Sequence, residues 1–172
     1  MEKSFLQVYT GNGKGKTTAA IGLAVRAAGQ GLCVKIAQFL KGRETGEIYS
    51  LSKIENIEFV RVSECEKFFG ELTGQEKNNM RDGVCAFLPV AERWLKESDV
   101  IVFDEALGAL QCGILKMDEL IKIIDNRGGT EIVLTGRNAP EEIVKRAGLV
   151  TEMKEIKHYY NERAEARRGI EY

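Results

Sequence analysis

The sequence predicts a single α/β domain spanning residues 1–172, with a mainly parallel sheet covered by helices on both faces. Three observations carry this. Short β-like apolar runs alternate with helical patterns along the chain, the order that builds parallel sheets. A glycine-rich turn, Gly11 to Gly15, joins the first strand to the first helix. A continuous apolar run, Val100 to Phe103, stops at Asp104-Glu105, where a buried strand would emerge from the sheet.

Taken in order, Phe5 to Tyr9 is the first apolar strand, and Thr17 to Ala28 carries a helical pattern that Gly29 and Gly31 stop. Val34 to Leu40 reads as a second strand, closed by Lys41-Gly42. Residues 43–53 are polar and read as loop or short helix. Ile57 to Val62 alternates, which suggests a third strand nearer the sheet edge. Ser63 to Gly74 is irregular. Gln75 to Lys96 is a long amphipathic helix, its apolar Val84, Phe87, Leu88, Ala91, Trp94 and Leu95 recurring at three and four. Pro89 either kinks this helix or marks a start. Val100 to Phe103 is the most β-like run. Met117 to Asn126 is a helix closed by Gly128-Gly129, and Glu131 to Leu134 another strand. Pro140 to Ala147 forms a short helix with proline in its first turn. Leu149 to Met153 is the last strand, and a charged tail runs to Tyr172.

Composition excludes several classes. Apolar content of 44% and charge of 30% suit an ordinary globular domain. No apolar run approaches the roughly 20 residues of a membrane helix, so no membrane partner is expected. The net charge of −1 gives no global positive field for nucleic acid. Basic patches are local: Lys14 with Lys16, and Arg163, Arg167 and Arg168 in the tail. Cys33, Cys65, Cys85 and Cys112 show no C-x-x-C spacing, so free thiols are expected rather than disulfides or zinc. Met1-Glu2-Lys3-Ser4 followed by a strand does not read as a signal peptide, and a cytoplasmic location is expected.

Strand, glycine-rich turn and helix together form a phosphate-binding loop. The glycines let backbone N–H groups converge on an anion, and the helix adds its own free N–H groups and positive dipole end. Lys16 is suited to neutralising phosphate oxygens and the Thr17 hydroxyl to ligating Mg²⁺. The usual pattern, G-x-x-x-x-G-K-[ST], requires glycine where this chain has Thr10; Gly15-Lys16-Thr17 is intact, and Gly11 and Gly13 supply flexibility one step later. Thr10, Gly11, Asn12, Gly13, Lys14, Gly15, Lys16, Thr17 and Thr18 are the expected contacts to a nucleotide triphosphate.

Such a loop needs an acid opposite to hold the Mg²⁺ that bridges phosphates, and Asp104 and Glu105 supply it at the carboxyl end of a strand. The plainer readings are a helix N-cap for Asp104 and a solvated turn for Glu105. Arg137, in Thr135-Gly136-Arg137 after another strand, can reach a phosphate or a substrate group, or be a surface arginine. His158, the one histidine, reads as structural. Phe68 and Phe69 read equally as core and as a lid over a flat ligand.

The chain resembles the ATP:corrinoid adenosyltransferases of the CobA/CobO/BtuR type over nearly its whole length. The resemblance is carried by Tyr9 to Ala20 (YTGNGKGKTTAA), Gln38-Phe39-Leu40-Lys41-Gly42, Val102-Phe103-Asp104-Glu105 and Leu134-Thr135-Gly136-Arg137. Lys157-His158 and Arg168-Gly169-Ile170-Glu171-Tyr172 extend it to the end. Thr10 is itself what that family's loop looks like. The resemblance implies a RecA-like fold of the phosphate-loop NTPase kind. It also implies transfer of the 5′-deoxyadenosyl group of ATP to the cobalt(I) of a reduced corrinoid, with inorganic triphosphate leaving. ATP is then the adenosyl donor, lying reversed in the loop so that its 5′ carbon faces the corrin. Lys14, Lys16 and Mg²⁺ held by Thr17 and the Asp104-Glu105 pair would stabilise the departing triphosphate, with Arg137 assisting. Further implications are a homodimer and a reductase or flavodoxin-type electron donor. Phe68 and Phe69 look like counterparts of aromatic residues that displace the lower axial ligand of cobalt. Some relatives carry an N-terminal extension over the corrinoid; this chain begins at its first strand, so either another segment or the partner subunit is expected to close the site, or the site is more open.

The competing reading is a phosphate-loop ATPase or nucleotide switch in which Glu105 activates water. A small-molecule kinase is a third, though no arginine-rich lid segment is present.

Overall fold

In the computed structural model, which describes residues 3–42, 45–63, 69–162 and 165–171, six strands form one sheet. They are β1 (Leu6–Thr10), β2 (Val34–Gln38), β3 (Ile57–Arg61), β4 (Val100–Asp104), β5 (Glu131–Thr135) and β6 (Leu149–Glu152). Their order is β3-β2-β4-β5-β1-β6 and every pairing is parallel. All carboxyl ends therefore lie along one edge of the sheet. Register then aligns them: Gln38 pairs with Asp104 and Tyr9 with Thr135. The alternating run expected near an edge, β3, is an edge strand.

Six helices connect them: α1 (Lys16–Gly29), α2 (Gly46–Leu51), α3 (Gly74–Glu97), α4 (Ala106–Gln111), α5 (Met117–Asp125) and α6 (Glu141–Arg146). Two apolar clusters sandwich the sheet. On one face Ala20, Ala24, Ala27 and Ala28 of α1 meet Ile36, Val100, Val102 and Val133. These alanines recur at helical spacing, and their small side chains bring α1 close to the strands. On the other face, Phe87 of α3 meets Phe39, Phe103 and its helix neighbour Trp94 edge-on, with ring centroids 5.3–6.3 Å apart. Strand β4 is buried on both sides, which is why its sequence reads as an unbroken apolar run.

Two expectations are refined. The second strand ends at Gln38 rather than Leu40, because Leu40 takes a left-handed φ of 58° that no extended strand tolerates. Pro89 lies inside α3, which runs through it from a Thr73–Glu76 capping box. Helix α4 was not expected: with six residues it is too short to display a helical period. Phe68 and Cys65 lie outside the described residues.

Helix α3 crosses the end of β3 at Gly83, where a Cβ would lie 2.6 Å from the Val62 carbonyl oxygen. Gly83→Ala adds about 1 kcal/mol of helix propensity, but that contact forces a backbone shift worth roughly 1–3 kcal/mol. The variant is expected to melt below the parent in a thermal scan. An unchanged or higher melting temperature would show that α3 has room to move.

Candidate functional site

The loop after β1 packs against the chain that follows β6. Gly13 donates its N–H to the Met153 carbonyl at 2.7 Å, and Met153 donates back to Thr10 at 2.8 Å. A Cβ on Gly13 would come within 2.9 Å of the Met153 and Lys154 backbone, so a larger residue cannot sit there. Gly15 caps α1 at φ 114°, a left-handed geometry that only glycine adopts without strain. The Thr10 side chain points away from the loop and accepts the Ala139 N–H at 3.3 Å. Threonine is tolerated where the usual pattern has glycine because this position belongs to β1 and its side chain serves the β5–α6 connection.

Lys16 is only 8% exposed, and its ammonium donates to the carbonyls of Gly11 at 2.7 Å and Gly13 at 2.8 Å. Burial lowers its pKa, Glu105 and Asp104 acting against the shift and Arg137 with it. Thr17, one residue on, donates its hydroxyl to Asp104 Oδ1 at 2.8 Å. Asp104 is fully buried. It also accepts from Thr135 at 2.7 Å, Gln38 Nε2 at 3.0 Å and Lys41 Nζ at 3.1 Å. Burial alone would raise this carboxyl; the Lys41 charge and the hydrogen bonds from Thr135, Gln38 and Thr17 outweigh it and hold the group ionised, below its ordinary value.

Its neighbour is pushed the other way. Burial, then the negative charge of Asp104, raises the Glu105 carboxyl, opposed by Lys41, Lys16 and Arg137. Glu105 also sits at φ 60° as the residue before α4, a conformation costing roughly 1–2 kcal/mol for a residue with a Cβ. Glu105 thus combines a left-handed backbone, a crowded charge and a place in the cleft lining.

The cleft has a volume of about 820 Å³, within the usual range for small-molecule sites. Asn12 to Thr18, Glu105 and Arg137 line it, and so do Leu40-Lys41-Gly42 from the β2 side. Thr10 and Gly11 do not. His158 and Gly169 to Glu171 form a further wall. Lys14 is turned toward that wall, its ammonium 2.7 Å from both the Tyr159 hydroxyl and Glu171 Oε1. Arg167, Lys14 and Tyr159 together hold the Glu171 carboxyl far below its ordinary value. Phe69 is outside the cleft lining: it is partly buried against the core, with the Lys77 ammonium 5.1 Å from its ring centroid. Gln38, Lys41, Thr135 and Glu171 lie in the stretches that carry the resemblance, but neither they nor Tyr159 were assigned a role from the sequence. Thr135 and Gln38 carried a signal, each a polar residue closing an otherwise apolar strand.

Thr17, Asp104 and Glu105 offer hard oxygen donors of the kind Mg²⁺ takes when water and phosphates complete its shell. Gln38 Oε1 is buried beside Asp104 with no hydrogen-bond partner, an acceptor that a metal-bound water would satisfy. Among the described residues no group of three or more His, Cys, Asp or Glu could cage a metal alone. The donor set therefore fits a cation shared with a bound phosphate chain.

Residues 2–172 match the family described as ATP:corrinoid adenosyltransferase BtuR/CobO/CobP. The corrinoid adenosyltransferase CobA of Salmonella typhimurium is 32% identical, over 99% of this chain and 87% of that protein. The corrinoid adenosyltransferase of Pseudomonas aeruginosa is 33% identical, over 99% and 85%, and that of Escherichia coli K12 is 31% identical, over 99% and 87%. Among solved structures, the KaiC-like protein PH0186 of Pyrococcus horikoshii superposes with a TM-score of 0.52 at 20% identity, over 86% of this chain and 71% of that one. The flagellar accessory protein FlaH of Methanocaldococcus jannaschii gives 0.54 at 15%, over 86% and 69%. At those identities the two structures speak for the fold alone.

Because Glu105 binds its proton more tightly folded than unfolded, stability falls as pH rises from the ordinary glutamate pKa, about 4.3, through the raised folded value. Glu105→Gln removes that loss. In metal-free buffer near pH 7.5 it is expected to melt higher than the parent, by about 2–4 °C per kcal/mol recovered, with the difference closing below pH 4. A variant that melts lower at neutral pH would contradict the charge crowding.

Proposed function

We infer, from the premise that this chain belongs to the ATP:corrinoid adenosyltransferase family, how its cleft carries out ATP-dependent adenosyl transfer to a corrinoid. The observation that carries the reading is the Thr17–Asp104 hydrogen bond, which fixes the phosphate loop against the acidic end of β4. The reaction places its demand on the leaving group. A cobalt(I) corrinoid is a very strong nucleophile, so no serine, cysteine or histidine needs activation, in keeping with a chain that has one histidine. What the protein must supply is orientation of the ATP 5′ carbon toward cobalt and stabilisation of the triphosphate as its charge grows.

Lys16, with the loop N–H groups and Arg137, is proposed to hold the triphosphate, and Lys14 to join them on leaving Glu171. Thr17, Asp104 and Glu105 are the proposed magnesium ligands; the ion, when bound, neutralises part of the leaving-group charge. Asp104 keeps the Thr17 hydroxyl aimed at the cleft. Asn12, Gly13, Gly15 and Thr18 are proposed to meet the nucleotide through the loop; Thr10 and Gly11 support it from behind. Phe69, with Phe68, is proposed to face the corrinoid. Homodimerisation and a reductase or flavodoxin-type electron donor belong to the same reading. A dimer is supported by Phe5, Leu149 and Val150, each more than 40% exposed at the β6 edge of the sheet. A cytoplasmic setting is supported by the free thiols Cys33, Cys85 and Cys112.

Incubation with Mg-ATP and chemically reduced cobalamin is expected to yield light-sensitive adenosylcobalamin. Lys16→Ala is expected to lower kcat/KM by about 10²–10³-fold; near-parent turnover would remove the loop from the mechanism. Phosphate release that does not depend on corrinoid would point instead to hydrolysis.

A further inference from the structure

Lys41 has no part in the site as the phosphate loop defines it, yet the fold is bent to deliver it there. Leu40, just before it, is held in a left-handed conformation at φ 58°, which a branched side chain adopts only when its surroundings impose it. Those surroundings are visible. Phe39 donates its N–H to the Asp104 carbonyl at 2.9 Å. The Leu40 side chain lies where a Cβ on Gly108 would meet it at 3.0 Å, and Arg61 donates to the Gly42 carbonyl at 3.3 Å. The bend turns Lys41 back over the strand ends. Its ammonium is 3.1 Å from Asp104 Oδ2 and 3.2 Å from Thr17 Oγ1. With its side chain 29% exposed, it lines the cleft that Lys16 and Arg137 also line.

This position conflicts with the site's proposed use. A divalent cation held by the Thr17 hydroxyl would take the oxygen that the Lys41 ammonium now contacts. An ion there would compete with the ammonium for the Thr17 oxygen and repel its charge, which favours release of Lys41. In the free enzyme Lys16 rests on the loop carbonyls and Lys14 on Glu171, and Arg137 lines the same cleft. The anion newly present in the same cleft is the triphosphate.

We propose that Lys41 is a triphosphate-binding residue of the transfer reaction, its ammonium moving from the Thr17–Asp104 pair in the free enzyme onto the triphosphate when nucleotide binds. The inference rests on the adenosyl-transfer reading and extends it. In that reaction cobalt(I) donates its electron pair to C5′, the C5′–O bond breaks with its pair going to the triphosphate, and cobalt becomes formally cobalt(III). The leaving triphosphate is one charge more negative than it was within ATP. A cation free to follow it binds the transition state better than the ground state, which is the condition for catalysis.

The test measures binding of inorganic tripolyphosphate to the nucleotide-free enzyme by calorimetry in buffer with excess Mg²⁺. Lys41→Gln keeps a donor for Asp104 while removing the charge, and Lys41→Arg keeps both. The Gln variant, folded by circular dichroism, is expected to bind tripolyphosphate about tenfold or more weakly, with Arg restoring most of the affinity and kcat following the same order. Lys41→Met, which keeps the apolar stem, takes the place of Gln should that variant not fold. A folded Gln or Met variant that binds tripolyphosphate as tightly as the parent overturns the proposal, even with a lowered melting temperature, because Lys41 would then only neutralise Asp104. A parent enzyme that makes adenosylcobalamin normally in that case leaves the adenosyl-transfer reading standing. A parent that makes none removes that reading and the proposal with it.

Discussion

The arrangement depends on one buried carboxylate. Asp104 has no exposed surface, and an ion so placed costs several kcal/mol unless it is paired and hydrogen-bonded. Its four partners come from three separate stretches: Thr17 on α1, Gln38 and Lys41 at and just beyond the end of β2, and Thr135 on β5. Satisfying that ion therefore sets the first turn of α1 against the centre of the sheet. The loop that precedes the helix is set with it. Removing any one donor leaves part of a buried charge uncompensated, so the same contacts that fix the fold here also fix the site.

Next to it, Glu105 is treated in the opposite way. Asp104 is held ionised by its partners, while Glu105 is crowded by burial and by that very charge and is carried on a left-handed backbone. Two adjacent carboxylates are thus held in opposite ways: one is compensated by four donors, the other is left in a crowded negative field. The lysines divide similarly. Lys16 rests on the loop's own carbonyls, Lys41 on Asp104, and Lys14 on Glu171. Each of these three lysines is paired with a local acceptor in the free protein.

Much of this was legible in the residues themselves. The unbroken apolar Val100–Phe103 run announced a strand buried on both faces, and its stop at Asp104 marked where the strand leaves the core. Gly15-Lys16-Thr17 announced a phosphate loop, since few other functions need that backbone. What stayed hidden were contacts made by distant segments. Lys41 reads as an ordinary strand-ending lysine until the left-handed turn at Leu40 aims it inward. Glu171 lies 157 positions from Lys14, beyond the reach of any periodicity. Helix α4 has too few residues to show a period, and the odd Thr10 became intelligible only once its hydroxyl was seen to serve Ala139.

The central claim is that this cleft grips the triphosphate as a leaving group, so that carbon rather than phosphorus is attacked. ATP carrying ¹⁸O in the bridge between C5′ and the α-phosphorus tests this directly. With reduced corrinoid as acceptor, the label is expected to remain on the released triphosphate, seen as an isotope shift in its ³¹P resonance. Label recovered on the nucleoside oxygen would mean that a P–O bond had broken, and would contradict the account.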